Sequence, residues 1–90
     1  MEPSFKPRHT PDFQLEVMGD ELLIYHPAQT KVVYCNATSA LIWQLCDGER
    51  TVTQIIELLA SAYPEAGDVV PAQTRDTLRK FRDEGVIGPA

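Results

Sequence analysis

Residues 30–53 read TKVVYCNATSALIWQLCDGERTVT, and the order of signals in them decides the fold: strand, capped helix, stop, second capped helix. Four of the six opening residues, Thr30, Val32, Val33 and Tyr34, are β-branched or aromatic, as a pleated strand prefers. Asn36 is suited to cap a helix that starts at Ala37, and Ala37, Leu41 and Leu45 recur every four residues, the spacing of one helix face. Asp47-Gly48 then reads as a helix stop, with the glycine in a left-handed cap. Thr51 with Gln54 three residues on is a capping box that opens the next helix.

Outward from this stretch the pattern continues. Gln14–Val17 and Glu21–Tyr25 read as short strands around Met18-Gly19-Asp20, a hairpin loop, and His26–Gln29 turns the chain into a third strand over 30–35. Helices are expected at about 37–46, 52–63 and 72–84, the second on the spacing of Val52, Ile55, Ile56, Leu59 and Ala62. Pro71 suits the entrance of the third helix and Gly85 its exit, while Val69 and Val70 are expected to dock on the core and Val86-Ile87 to fold back as an apolar tail. Pro3, Pro7 and Pro11 punctuate residues 1–13, which are expected to form a flexible arm ahead of a domain over 14–90. A small sheet followed by three helices makes an α+β, winged-helix-like domain.

Composition narrows the function classes. Ninety residues bury about two-thirds of their unfolded surface, which leaves little room for a deep catalytic cavity, so the chain is not expected to be an enzyme. Thirteen acidic against eight basic residues give a net charge of −5, which opposes general attraction to nucleic acid or anionic membrane. No apolar run approaches the ~20 residues of a membrane span and the N-terminus lacks a signal-type apolar centre, so the expected location is the cytoplasm. Cys35 and Cys46 read as packed, reduced thiols rather than a disulfide framework.

Candidate catalytic groups are thin. His9 and His26 fall in the expected arm and turn without Cys or His at metal-ligand spacing, and both read as solvated loop residues, so neither a metal nor a cofactor is expected. Trp43 reads as half-buried packing near the sheet, with an aromatic anchor for a partner as the alternative. The third helix carries Arg75, Arg79, Lys80 and Arg82, half of the eight basic residues; at 100° per residue Arg75, Arg79 and Arg82 lie within about 60° of one another, beside the line of Thr74, Leu78 and Phe81. That rail admits three readings: a solvated face with ion pairs such as Arg79 to Asp83, a DNA recognition helix, or the wall of a peptide groove.

The segments Val33-Tyr34-Cys35-Asn36-Ala37-Thr38, Ile42-Trp43 and Cys46-Asp47-Gly48-Glu49-Arg50-Thr51-Val52 resemble the core signature of the PqqD-like proteins, and the resemblance spans roughly residues 14–88. These are peptide chaperones, also described as recognition elements for ribosomally made, modified peptides. The resemblance implies a winged-helix-like fold that binds the leader of a precursor peptide as an added strand on the third strand of the sheet, leaning on the third helix. The leader is then handed to a modifying enzyme, often a radical S-adenosylmethionine enzyme. Residue by residue, Lys31, Val32, Val33, Tyr34 and Cys35 become the pairing edge, and Thr74, Arg75, Leu78, Arg79 and Arg82 the groove wall. Cys35 departs from the pattern, which often has leucine before the asparagine. The pathway implied is pyrroloquinoline quinone, lasso-peptide or other modified-peptide formation. A winged-helix DNA-binding regulator, or a module of a non-peptide complex, would use the same fold without a leader.

Overall fold

The computed structural model describes residues 2–90; Met1, part of the expected arm, lies outside the described residues. Its elements run β1 (Pro7–His9), β2 (Gln14–Met18), β3 (Glu21–Tyr25), β4 (Val32–Cys35), α1 (Ala37–Leu45), α2 (Val52–Ala62), a 3₁₀ turn (Pro64–Ala66), α3 (Val70–Asp83) and β5 (Ile87–Pro89). Strands β2, β3 and β4 form the expected antiparallel meander, in that order. The two-residue turn between Met18 and Glu21 puts Gly19 at φ +62°, the left-handed first position that a II′-type hairpin requires.

The expected α2 capping box forms, and the Asn36 cap proves to be one as well. Asn36 accepts from the Ser39 amide at 2.8 Å and Ser39 Oγ accepts from the Asn36 amide at 2.9 Å, so the helix start is satisfied by a serine at the reciprocal position. Thr51 and Gln54 do the same for α2 at 3.1 and 2.9 Å. α1 stops one residue earlier than its signals imply, with Cys46 as its cap; Gly48, at φ +83°, takes its left-handed turn two residues later, where its N–H meets the Pro7 carbonyl at 2.9 Å. α3 begins two residues earlier than expected because Val70, buried, draws the first turn onto the core and Pro71 fits there without a donor to lose. Val69, expected to dock beside it, points out to solvent.

The core is one cluster: Ile24 and Val33 from the sheet, Ile42, Trp43 and Cys46 from α1 and its cap, Val52, Ile55 and Leu59 from α2, Val70, Leu78 and Phe81 from α3, and Val86 and Ile87 behind them. Burial pushes the Cys46 thiol up to about 12, with the adjacent Asp47 carboxylate adding to it, which makes it a packing residue.

Residues 2–13 correct the expectation of an unstructured arm. β1 pairs antiparallel with β5, Pro7 opposite Pro89 and His9 opposite Ile87. Proline removes donors but keeps its carbonyl, and at its start the arm serves α2 through acceptors. The Phe5 and Pro3 carbonyls receive the Val52 and Thr53 amides at 2.9 and 3.2 Å, two of the first-turn donors that α2 cannot satisfy within itself. His9 is likewise no solvated loop residue: its ring stacks on Trp43 with centroids 3.7 Å apart and planes 8° from parallel, and Nε2 donates to the Trp43 carbonyl. Trp43 is only 4 % exposed and its Nε1 donates to the Val86 carbonyl at 3.2 Å, so it is fully committed to the fold and offers no anchor to a partner.

Candidate peptide-binding edge

The free edge of the meander is β4, and the ladder's alternation determines which of its backbone groups are open. A two-residue hairpin closes on a hydrogen-bonded pair, so Met18:Glu21, Glu16:Leu23 and Gln14:Tyr25 exchange bonds between β2 and β3. Leu22 and Ile24 then face β4 and bond Cys35 and Val33, their partners in register. The N–H and C=O groups of Val32 and Tyr34 are left pointing to the open side. Their side chains stand on the outer face of the sheet, where Tyr34 is 63 % exposed, whereas Val33 is 4 % exposed and sits in the core.

α3 flanks this edge and runs antiparallel to it. Lys31, just before β4, meets Glu84 at the end of α3 at 3.6 Å. One turn back, Lys80 acts on the Cys35 thiol, whose pKa is raised chiefly by burial and pulled the other way by a Ser39 hydrogen bond and the Lys80 charge. A cleft of about 220 Å³ lies between Val32, Val33 and Tyr34 on one side and Lys80 and Glu84 on the other. Further along α3, beyond the end of β4, a hollow of about 510 Å³ opens between the first turn of α1 (Thr38, Ser39), the end of α2 and the first half of α3 (Gln73, Thr74, Thr77). Thr74 is 1 % exposed and its Oγ1 has no hydrogen-bond partner, an arrangement that costs about 1–3 kcal/mol for a buried hydroxyl left unpaired.

The residues expected from sequence divide accordingly. Lys31, Val32, Tyr34 and half-buried Cys35 line or border the edge, and Val33 contributes its body from the core side. Thr74 reaches the α1–α3 hollow, but Leu78 is wholly buried and cannot touch a ligand. Arg75, Arg79 and Arg82 are exposed on the other flank of α3, between about 100° and 160° around the axis from Lys80. Arg79 pairs with Asp76 at 3.3 Å rather than with Asp83. The basic rail thus exists but does not border the β4 cleft; Lys80 and Glu84 do, and the i, i+4 spacing of that pair on the side of the buried line away from the arginines was the available signal.

Among the described residues no three His, Cys, Asp or Glu side chains converge in a way that would hold a metal ion. No helix among them is long and apolar enough to cross a membrane. The site offers backbone donors and acceptors, one cleft and one polar-walled hollow, which is binding chemistry.

Comparison with known proteins gives a family match and a structural neighbour. Residues 21–87 match the family model described as coenzyme PQQ synthesis protein D (PqqD). No curated protein matches the sequence. A solved structure, TbiB1 in complex with the TbiA(beta) leader peptide, shares the fold with a TM-score of 0.71 at 18 % identity, over 89 % of this chain and 93 % of that one.

Proposed function

Because the chain belongs to the PqqD family, we propose that it is a peptide chaperone: it binds the leader segment of a ribosomally synthesised precursor peptide by strand addition to β4 and presents it to a modifying enzyme. The observation that carries this reading is the open edge at Val32 and Tyr34 with α3 alongside. An extended peptide that pairs there satisfies backbone groups otherwise left to water and gains side-chain selectivity from the cleft. The fold likeness to TbiB1, a protein solved in complex with a leader peptide, supports a leader peptide as the ligand. Presentation requires no cofactor and no catalytic group of its own; holding the substrate at the enzyme raises its effective concentration. A radical S-adenosylmethionine enzyme of quinone-cofactor or lasso-type peptide formation fits that role, in the cytoplasm.

The DNA-regulator reading draws on the exposed arginines, but Asp76 already engages Arg79 and the net charge of −5 opposes a phosphate backbone. Isothermal titration of a synthetic leader from a precursor gene beside this one, against a duplex of random sequence at physiological salt, separates the two. Micromolar or tighter peptide binding is expected, with the Val32 and Tyr34 amide resonances moving in an NMR titration of the same peptide; duplex binding without peptide binding would reverse the assignment.

A further inference from the structure

The meander has two rims, and only one of them borders α3. At the other lies β2, with β3 beside it and no strand beyond. The alternation that opens Val32 and Tyr34 on β4 opens Leu15 and Val17 on β2: Gln14, Glu16 and Met18 exchange bonds with β3, so the N–H and C=O groups of the two residues between them point away from the sheet. Neither residue enters any other backbone hydrogen bond among the described residues. Sheet edges are usually blunted by proline, lysine, a bulge or a covering segment. β2 holds no proline or lysine, and its register with β3 runs unbroken from Gln14 to Met18. Its last two residues, Val17 and Met18, are 68 % and 64 % exposed, the highest values for large apolar side chains among the described residues.

Charge decides what this edge accepts. Residues 9–30 contain Asp12, Glu16, Asp20 and Glu21 and no lysine or arginine. Glu16 stands at the centre of β2, exposed on the outer face of the sheet, where the Tyr25 hydroxyl donates to its carboxylate at 3.4 Å. A second copy of this chain is a poor occupant. The antiparallel register that pairs all of β2 with itself sets Leu15 against Val17 and Glu16 directly against Glu16 of the other copy, like charges in the closer type of cross-strand pair. We propose that β2 is a second strand-addition edge, for an extended segment of another protein that places lysine or arginine opposite Glu16 and apolar side chains opposite Leu15 and Val17. The inference goes beyond leader binding on β4 and does not depend on it. The three strands of the meander separate the two rims, so a peptide on β4 and a protein segment on β2 can be held at the same time in one five-stranded sheet.

The probe is a short synthetic peptide with blocked ends, threonine-valine-lysine-valine-threonine, and its twin with glutamate in place of lysine. Each is titrated to millimolar concentration into the full chain while the amide resonances are followed by NMR. The lysine peptide is expected to move the Leu15 and Val17 amides and the glutamate twin to leave them in place. Glu16→Lys should exchange that preference. Val17→Pro, whose missing donor faces outward and leaves the β2–β3 ladder whole, should weaken the lysine peptide about tenfold or more, whereas Val17→Ala, which keeps the donor, should retain most of the affinity. Equal movement of Leu15 and Val17 by the two peptides would overturn the basic partner. Movement of neither residue, or of Val32 and Tyr34 alone, would overturn β2 as an addition edge. Leu15 and Val17 amides that move with the concentration of the chain itself, without peptide, would give the edge to a second copy and overturn the proposal. None of these outcomes bears on leader binding, which is read at Val32 and Tyr34 with the leader itself, and a failure there leaves the result at β2 standing.

Discussion

The His9 imidazole lies flat on the Trp43 indole, 3.7 Å between centroids, and so ties the first strand to the middle of α1. Stacked aromatic pairs are worth about 0.5–1.5 kcal/mol beyond the area they bury, and His9 also donates to the Trp43 carbonyl. His9→Ala is therefore expected to lower stability by roughly 1–3 kcal/mol, the sum of a lost stack and a lost half-buried hydrogen bond. Trp43 is the single tryptophan, so its fluorescence in a urea titration reads the change directly. An unaltered midpoint would mean that the arm is not held in solution.

The carbonyls of Pro3 and Phe5 act as an external cap for α2, and this has its own signature. Removal of residues 2–6 should speed amide exchange at Val52 and Thr53 by an order of magnitude or more, because about 1.4 kcal/mol of local protection is a factor of ten. Ile55, whose amide bonds Thr51 within the helix, should stay slow. Equal exchange at Val52 in the full and shortened chains would refute the capping role.

The Asn36 cap, the Thr51–Gln54 capping box, the hairpin turn and the line of Thr74, Leu78 and Phe81 are written in residues at most four apart, and each was legible for that reason. The β1–β5 ladder was not. It joins residues some eighty positions apart through strands that contain Pro7 and Pro89, where every local signal argues against a strand. The candidate site was legible on one wall only. Strand periodicity located β4 and the family resemblance made it the pairing edge, but a helical wheel of α3 has two polar flanks, and choosing between arginines and Lys80 requires knowing how the helix lies across the sheet. The Lys31–Glu84 contact supplies that information, and it exists only in three dimensions.

Asp47 makes a pH-dependent contribution. Its carboxylate accepts from the Glu49 and Arg50 amides at 2.9 and 3.2 Å and pairs with the Arg50 guanidinium at 2.6 Å, so its pKa is lowered, first by the Glu49 bond. A depressed carboxylate stabilises the fold above its unfolded pKa, about 3.9, and loses that contribution as pH falls through the lower folded value. The stability gap between the parent chain and Asp47→Asn is therefore expected to be constant from pH 7 to about 5 and to close below about 3.9. Urea midpoints at stepped pH measure it; a gap that persists unchanged at pH 2 would assign the effect to the side-chain amide's geometry instead of charge.

Proline scanning along β4 tests the open edge at single-residue resolution. The Val33 amide faces β3, so Val33→Pro breaks a ladder bond inside the sheet and removes a core side chain, and the protein is expected to lose about 3 kcal/mol or more. Tyr34→Pro removes a donor that faces outward, along with an exposed side chain, so the fold should tolerate it far better, with a loss of roughly 1 kcal/mol from the altered backbone and lost cross-strand contact. Peptide binding should behave in the opposite sense. Tyr34→Pro takes away one of the few donors available to an added strand and is expected to weaken a bound peptide about tenfold or more, the equivalent of one lost backbone bond. Tyr34→Ala, which keeps the amide, is the control and should retain most of the affinity. Melting temperature and titration calorimetry on the three variants give the two readouts independently. Equal weakening by Tyr34→Ala and Tyr34→Pro would move recognition from the backbone to the outer face of the sheet.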